Sequence, residues 1–495
     1  MAMTLSLPLS MMTVNDDEDF TITRDELDMS SYQAKLQHQR DENSLYLRRL
    51  TVPGIKIPTC KTSLHSNDIS SNFINKEQVI SNLISCDSES VLSLQGFPKL
   101  CSKYLTQAAA SEEFINALVE SISDSEKFNR LNNEAKALLF GILASVFPYC
   151  NEQTIERIVD DVSFMISDIL SNNEDFSLYS IALNIATVFS QESEYARDSL
   201  TCLGIHMQII EIASKHISEE ITELCLITVF SIYRNDGPMN SYTITEAIDP
   251  LYDILSKSSQ NNVLTILNTF SEMTNKLPEI IPVFFTRGLY QYALQSLGNP
   301  IMTKVSLNLI GNMCISRPSF METLIKEGLF EKIMNVIQSN KEVADAFWVI
   351  SNLIESIPHL MEPLISCEFI NFSLNIADQA PFNTKREIAY FISTYILFME
   401  PKKLTEIINE KLICLISEML ESGISNIILR SIDAFYKLIT IANTTGQFPF
   451  LLSLLVDCDV KSQLEENMEQ FTDERIPEKA NCLIWQIEQL SHECL

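Results

Sequence analysis

The feature that most constrains this 495-residue chain is a helical apolar pattern, which runs almost without a break from about residue 76 to the C-terminus. Apolar residues recur three and four positions apart, as in INALVESI (115–122) and GLFEKIMNVI (328–337). Glycine is scarce, with 11 residues in the whole chain, which disfavours sheets built on tight hairpins and also Gly-rich phosphate loops. The pattern predicts an all-α protein.

A polar or small residue recurs once per helical unit and gives the period of the pattern. With Asn352 as the reference, the equivalent positions are Gly141, Asn184, Ser231, Phe270, Asn312, Asn352, Thr394 and Lys437, and the gaps are 43, 47, 39, 42, 40, 42 and 43 residues. Armadillo-type helical repeats have a period of about 40–47 residues. A single core stops growing near about 250–300 residues, whereas a repeat array has no such limit. We therefore predict a right-handed superhelical armadillo-repeat solenoid of about nine to ten repeats.

Charge and motif content exclude several classes of function. The formal net charge is −30, so the surface should repel nucleic acids and anionic membranes and attract basic partners, although such a charge also serves solubility alone. No apolar run approaches the roughly 20 residues that span a bilayer. The motifs GxxxxGK[ST], HExxH and GxSxG are absent. We expect no enzyme, cofactor or metal site. The twelve scattered cysteines are expected to be reduced thiols.

One stretch, EVADAFWVISNL (342–353), places an acid, an indole and a carboxamide on one helical face. Asp345, Trp348 and Asn352 are spaced three, four and seven apart, which aligns their side chains. A carboxamide can bond both the donors and the acceptors of an extended peptide backbone, an indole face can stack on a lysine stem, and a carboxylate can pair with its ammonium. The alternative is that Trp348 is a core residue, as tryptophan on an amphipathic helix usually is.

The same region, with several loops, resembles the importin-α family of nuclear-import adaptors. SLNLIGNMCIS, KEVADAFWVISNLIES and TKREIAYFISTYI are similar to three consecutive repeats with the pattern WxxxN. CNEQTIERIV, QESEYARD and YRNDGP resemble the family's inter-repeat loops in order, EKANCLIWQIEQ resembles its last helix, and QRDENSLYLRRL resembles part of its importin-β-binding segment. The resemblance implies a concave groove that binds the basic localisation signals of cargo, and shuttling between cytoplasm and nucleus.

The resemblance also implies two groups of cargo-binding residues. In the later repeats they are Asn308, Asn312, Asp345, Trp348, Asn352, Glu387, Tyr390 and Thr394, where Tyr390 and Thr394 replace the family's Trp and Asn. In the early repeats they are Thr154, Ser180, Asn184, Ser231, Arg234 and Phe270. The early group departs further from the family, because the four tryptophan positions hold Ala137, Ser180, Ile227 and Ile266, and Val188 replaces an acid.

The resemblance divides the chain into a segment 1–60 for importin-β, a linker 61–75 and the repeat domain 76–495. The importin-β-binding residues would be Lys35, Arg40, Arg48, Arg49 and Lys56. An export receptor at the C-terminal repeats is a further implied partner. The eroded early group leaves an alternative open, in which the chain is an armadillo scaffold that binds one dedicated protein partner and no classical import signal.

Overall fold

The fold is taken from a computed structural model, which describes residues 76–172, 176–314, 316–467, 473 and 475–494. The described ranges contain α-helices and short 3-10 turns and no strand. The α-helices are α1 Lys76–Ser85, α2 Ser88–Leu92, α3 Ser102–Ala109, α4 Glu112–Ser123, α5 Ser125–Arg130, α6 Asn133–Val146, α7 Glu152–Asn172, α8 Phe176–Glu192, α9 Glu194–Cys202, α10 Ile205–Ser214, α11 Glu219–Arg234, α12 Ser241–Leu255, α13 Gln260–Lys276, α14 Ile281–Thr286, α15 Leu289–Ser296, α16 Thr303–Met313, α17 Pro318–Lys326, α18 Leu329–Gln338, α19 Val343–Ser356, α20 Pro358–Met361, α21 Cys367–Ala377, α22 Phe382–Phe398, α23 Pro401–Leu404, α24 Glu410–Glu418, α25 Ser425–Thr445, α26 Phe448–Asp457, α27 Val460–Asn467 and α28 Arg475–Cys494.

Most repeats consist of a short helix, a medium helix and a longer third helix, as in α17, α18 and α19. The third helices pack against one another in chain order, and we call this set the stacked row: α6, α8, α11, α13, α16, α19, α22, α25 and α28. One helix per unit of about 40 residues, stacked in this way, is the architecture of an armadillo solenoid. The predicted all-α armadillo fold is therefore confirmed.

Polar side chains link several stacked helices to the preceding one. The Nδ2 atom of Asn312 donates to the Ser271 carbonyl oxygen at 3.2 Å, and that of Asn352 donates to the Gly311 carbonyl oxygen, also at 3.2 Å. Lys437 Nζ donates to the Leu397 carbonyl oxygen at 2.8 Å. These bonds join residues 40 or 41 positions apart. The predicted register marks Asn312, Asn352 and Lys437 thus do lie at equivalent places.

Apolar side chains from all three helices of each unit form one continuous core along the solenoid. Around the later repeats, Phe347 of α19 lies with its ring centroid 5.2 Å from that of Phe391 in α22 and 6.0 Å from that of Phe369 in α21. Every stacked helix therefore shares its core face with the next repeat, because a lone repeat could not bury these rings.

The cysteines differ from the expectation in one place. Cys414 of α24 and Cys458, which ends α26, form a disulfide with a Cα–Cα distance of 5.4 Å. The expectation of reduced thiols throughout is wrong for this pair. Stacking of the repeats brings together two cysteines that are 44 residues apart, and the spacing of cysteines in the sequence does not show which of them will be neighbours. Within the described residues, no helix has the length and apolar content needed to cross a membrane.

Candidate functional site

The predicted site in the later repeats is built where α16, α19 and α22 lie side by side. Trp348 of α19 packs across Gly311 of α16 and is 8% exposed. A Cβ atom at position 311 would lie 1.5 Å from Cζ3 of the indole, so only glycine leaves room for the ring in this position. Trp348 therefore belongs in large part to the core, which was the alternative open from sequence, and its place depends on the backbone of the neighbouring helix.

Two carboxamides of this region have a buried acceptor oxygen without a hydrogen-bond partner in the described part of the chain. Asn352 is 1% exposed, and its Oδ1 atom is buried with no hydrogen-bond partner in the described part of the chain. The Oδ1 atom of Asn308, one helix back, is in the same condition. A buried acceptor without a partner costs about 1–3 kcal/mol, so two of them on adjacent stacked helices need an explanation. The Nδ2 atom of Asn312 donates to the Ser271 carbonyl oxygen and to Oγ1 of Thr274.

Two carboxylates meet at the start of α19, on the helix that also carries Asn352. Glu342 adopts a left-handed backbone conformation with φ of 48°, and both it and Asp345 are half-buried. Burial raises the pKa of the Glu342 carboxyl, and the neighbouring Asp345 charge raises it further, while Lys304 of α16 acts in the opposite direction. An added cation would lower this raised pKa, because a nearby opposite charge favours the ionised carboxyl.

The predicted residues on α22, Tyr390 and Thr394, contact an arginine of the chain itself. Arg430 of α25 lies over the ring of Tyr390, with its guanidinium carbon 4.6 Å from the ring centroid. Its Nη2 atom donates to the Tyr390 hydroxyl at 2.6 Å and pairs with Oε1 of Glu355 at 2.9 Å. Its Nη1 atom lies 3.3 Å from Oγ1 of Thr394. Tyr390 and Thr394, both predicted to bind cargo, thus contact an internal arginine.

The remaining predicted residues are dispersed. Glu387 pairs with its neighbour Arg386, Nη2 to Oε1, at 2.8 Å. Among the early residues, only Asn184 is exposed, while Ser231 is 2% exposed and Phe270 is fully buried with its ring 5.1 Å from that of Phe284. The structure therefore places Phe270 in the core, because an apolar ring at this register is better buried than solvated.

Three early residues lie in partly exposed positions. The backbone amide of Thr154 donates to Oδ1 of Asn151 at 2.9 Å. This bond caps the first turn of α7. Ser180 is half-buried on α8, and the Arg234 guanidinium carbon lies 5.9 Å from the ring centroid of Phe230 on its own helix. The predicted importin-β-binding residues Lys35, Arg40, Arg48, Arg49 and Lys56 lie outside the described residues.

Sequence reasoning missed three residues of this region: Glu342, Glu355 and Arg430. A signal existed for Arg430, because it is the one basic residue in the mostly apolar run IILRSIDAF (427–435), where a buried charge requires a partner. Its partner Glu355 lies 75 residues earlier, almost two repeats away, and no local pattern joins the two.

Comparisons with known proteins support the fold and go no further. No protein-family description matches the chain, and no curated protein matches it either. Among solved structures, an engineered protein is similar over 83% of this chain and 98% of its own, with a TM-score of 0.64 at 13% identity. A structure from work on the interaction between cadherin and β-catenin covers 83% of this chain and 100% of its own at 11% identity, with a TM-score of 0.47. A designed armadillo-repeat protein in complex with a (KR)4 peptide covers 47% of this chain and 98% of its own at 14% identity, with a TM-score of 0.40. The first similarity agrees with the armadillo-repeat solenoid described above, and the two lower scores add nothing to it.

Proposed function

We propose that this protein is a non-catalytic adaptor that binds an extended basic segment of a partner protein along α16 and α19. The observation that carries the proposal is the pair of buried acceptor oxygens, Asn308 Oδ1 and Asn352 Oδ1, which have no partner in the described part of the chain and lie on adjacent stacked helices. The half-buried carboxylates of Glu342 and Asp345 at the start of α19 add negative charge to the same helix. Main-chain N–H groups of an extended segment would supply the missing donors, and a lysine or arginine side chain would supply the missing positive charge.

The resemblance to importin-α gives this binding a biological role. The basic segment would be a nuclear localisation signal, and residues in 30–56 would attach the adaptor to importin-β. The protein would then shuttle between cytoplasm and nucleus. The net charge of −30 supports attraction of basic partners and speeds their encounter at low salt.

The first test is fluorescence anisotropy of a labelled eight-residue peptide of alternating lysine and arginine, titrated with the full chain. We expect the Trp348→Ala/Asn352→Ala variant to bind at least about tenfold more weakly, since a hydrogen bond to a buried acceptor and an aromatic contact are lost. Asn184→Ala is the matched control, because it removes the same chemical group from an exposed early position. Circular dichroism melting checks that each variant is folded.

Two results would contradict the proposed place of binding. Loss of binding in Asn184→Ala with no change in the double variant would move the site to the early repeats. Absence of measurable binding by the wild-type chain at low salt would reject recognition of basic segments altogether. A decrease of affinity with added salt does not by itself locate the site, because all surface charge pairs are screened.

A dedicated-partner scaffold is the second candidate function, and the contact of Arg430 with Tyr390 and Thr394 favours it. Binding of importin-β by the immobilised full chain separates the two candidate functions. An import adaptor should retain importin-β, and should lose it when Arg40, Arg48 and Arg49 are changed to Glu in the full chain. A scaffold should not retain importin-β in either form.

A further inference from the structure

The three residues around Arg430 have the composition of a cation-binding slot. Glu355 of α19 supplies the carboxylate, Tyr390 of α22 supplies an aromatic face and a hydroxyl, and Thr394 supplies a second hydroxyl. These are the groups that would hold a lysine or arginine of a bound segment. In this chain the cation in the slot is Arg430, from the next stacked helix.

The slot is closely fitted to the guanidinium. The side chains of Arg430 and Glu355 are 4% and 6% exposed, so the ion pair is almost wholly removed from solvent. The guanidinium stacks on the ring at 4.6 Å while it makes three polar contacts, at 2.6, 2.9 and 3.3 Å. A guest cation could enter only after Arg430 leaves, and that would strand a buried positive charge.

We propose that Arg430 is a specificity-determining residue, a built-in occupant of the slot formed by Glu355, Tyr390 and Thr394. The adaptor therefore selects basic segments that end at α19, and rejects the added cations of longer segments that would reach α22. The selection among basic segments deepens the proposed function and rests on it. The occupancy of the slot by a guanidinium can be tested without it.

The first experiment tests the slot alone by chemical rescue in the full chain. Arg430→Ala removes the side chain, and methylguanidinium chloride is then added, with sodium chloride at equal concentration as the ionic control. We expect methylguanidinium to raise the Tm of Arg430→Ala saturably, and to leave the wild-type Tm unchanged, because the wild-type slot is filled. The double variant Arg430→Ala/Glu355→Gln should show no rescue, since the carboxylate is gone. Equal Tm values of Arg430→Ala in the two salts would overturn the proposal.

The second experiment tests selection, and uses a variant that keeps hydrogen-bonding atoms in the slot. Arg430→Gln retains an amide next to Glu355 and removes the positive charge, whereas Arg430→Lys retains the charge. Labelled lysine–arginine peptides of four and eight residues are compared by anisotropy. We expect Arg430→Gln to bind the longer peptide at least about tenfold more tightly than wild type does, from one added charge-assisted contact, and to bind the shorter one equally. Arg430→Lys should behave as wild type.

The two experiments separate the possible failures. If wild type binds neither peptide, the proposed function is wrong, and the rescue result alone decides whether Arg430 fills a cation slot. If wild type binds both peptides and Arg430→Gln, folded by circular dichroism, leaves the ratio of their affinities unchanged, the selection is wrong. If Arg430→Ala does not fold, this ratio in Arg430→Gln decides the proposal.

Discussion

At the scale of single residues, two interior glycines of the stacked row are placed in opposite surroundings. Gly311 lies under the indole of Trp348, and a Cβ atom there would approach Cη2 of the ring to 1.9 Å. Gly141 of α6 has only Pro98 Cγ near it, at 4.0 Å. The same Gly→Ala change therefore meets a rigid ring at one site and open space at the other.

We predict that Gly311→Ala lowers the free energy of unfolding by about 1–3 kcal/mol, because the displaced indole is overpacked. Gly141→Ala should instead raise the free energy of unfolding by about 0.5–1 kcal/mol, because alanine loses less conformational entropy than glycine when it enters a helix. Urea unfolding followed by circular dichroism measures both. A Gly311→Ala variant as stable as Gly141→Ala would mean that Trp348 does not pack where the structure places it.

A second residue-scale consequence concerns Lys437, which is half-buried between α22 and α25. Its Nζ atom donates to the carbonyl oxygens of Leu397 and Met399 at 2.8 and 3.0 Å. Burial lowers the pKa of this amine from 10.5 to about 8. Between those two pKa values the unfolded chain holds the proton more tightly than the folded chain does, so stability increases with pH through this window.

We predict that the free energy of unfolding of wild type rises relative to that of Lys437→Met as the pH goes from 8 to 9, by at most about 1.4 kcal/mol. The Cys225 thiol, whose pKa burial raises from 9.0 to about 12, is present in both proteins, so its opposite contribution cancels in this difference. Urea unfolding at closely spaced pH values provides the measurement. Parallel profiles for the two proteins would show that the folded-state pKa of Lys437 is not lowered.

At the scale of elements, one buried arginine fastens two inter-repeat loops together. Arg197 of α9 is fully buried, and its guanidinium donates to Asn235 Oδ1 and to the Gly237 carbonyl oxygen, both at 3.0 Å, and to the Pro238 carbonyl oxygen at 2.7 Å. Lys276 Nζ donates to the same Gly237 carbonyl oxygen at 2.8 Å. The segments QESEYARD and YRNDGP, which the sequence analysis noted only for their order along the chain, are thus in direct contact.

We predict that Arg197→Met destabilises the α11–α12 connection by about 3–5 kcal/mol, because several buried acceptors lose their donor together. Hydrogen exchange of residues 235–240 is the direct readout, since a solenoid can open locally. Arg130→Met is the control: its pair with Glu126 is at 3.3 Å, and the arginine side chain is 76% exposed. Unchanged exchange in Arg197→Met would contradict the fastening role.

At the scale of the whole molecule, periodicity was sufficient to predict the architecture. The spacing of Asn312, Asn352 and Lys437 marks equivalent helices, and their bonds to the preceding helix join residues 40 or 41 apart. Such a pattern is readable because every repeat solves the same packing problem with its neighbours. The resemblance also placed Tyr390 and Thr394 in one predicted group, and the structure shows that both contact Arg430.

What sequence could not predict depends on which side chains meet between different repeats. Arg430 reaches back to Glu355, Trp348 rests on the backbone of Gly311, and Cys414 meets Cys458. Each partner is chosen by the rotation between successive units, which sets which side chains face each other. A single sequence records the period of the repeat but not this rotation.

The bonds between successive stacked helices also have a mechanical consequence. Because each unit is tied only to its neighbours, the junctions act as springs in series, and a small extension at every one adds up to a large change in length. The junction between α11 and α13, where the Lys276 ammonium grips two carbonyl oxygens, should be stiffer than junctions held by a neutral amide such as that of Asn352. Tension along the axis would therefore widen junctions held by a neutral amide, such as that between α16 and α19, before the Lys276 junction, and a bound segment would be held less tightly.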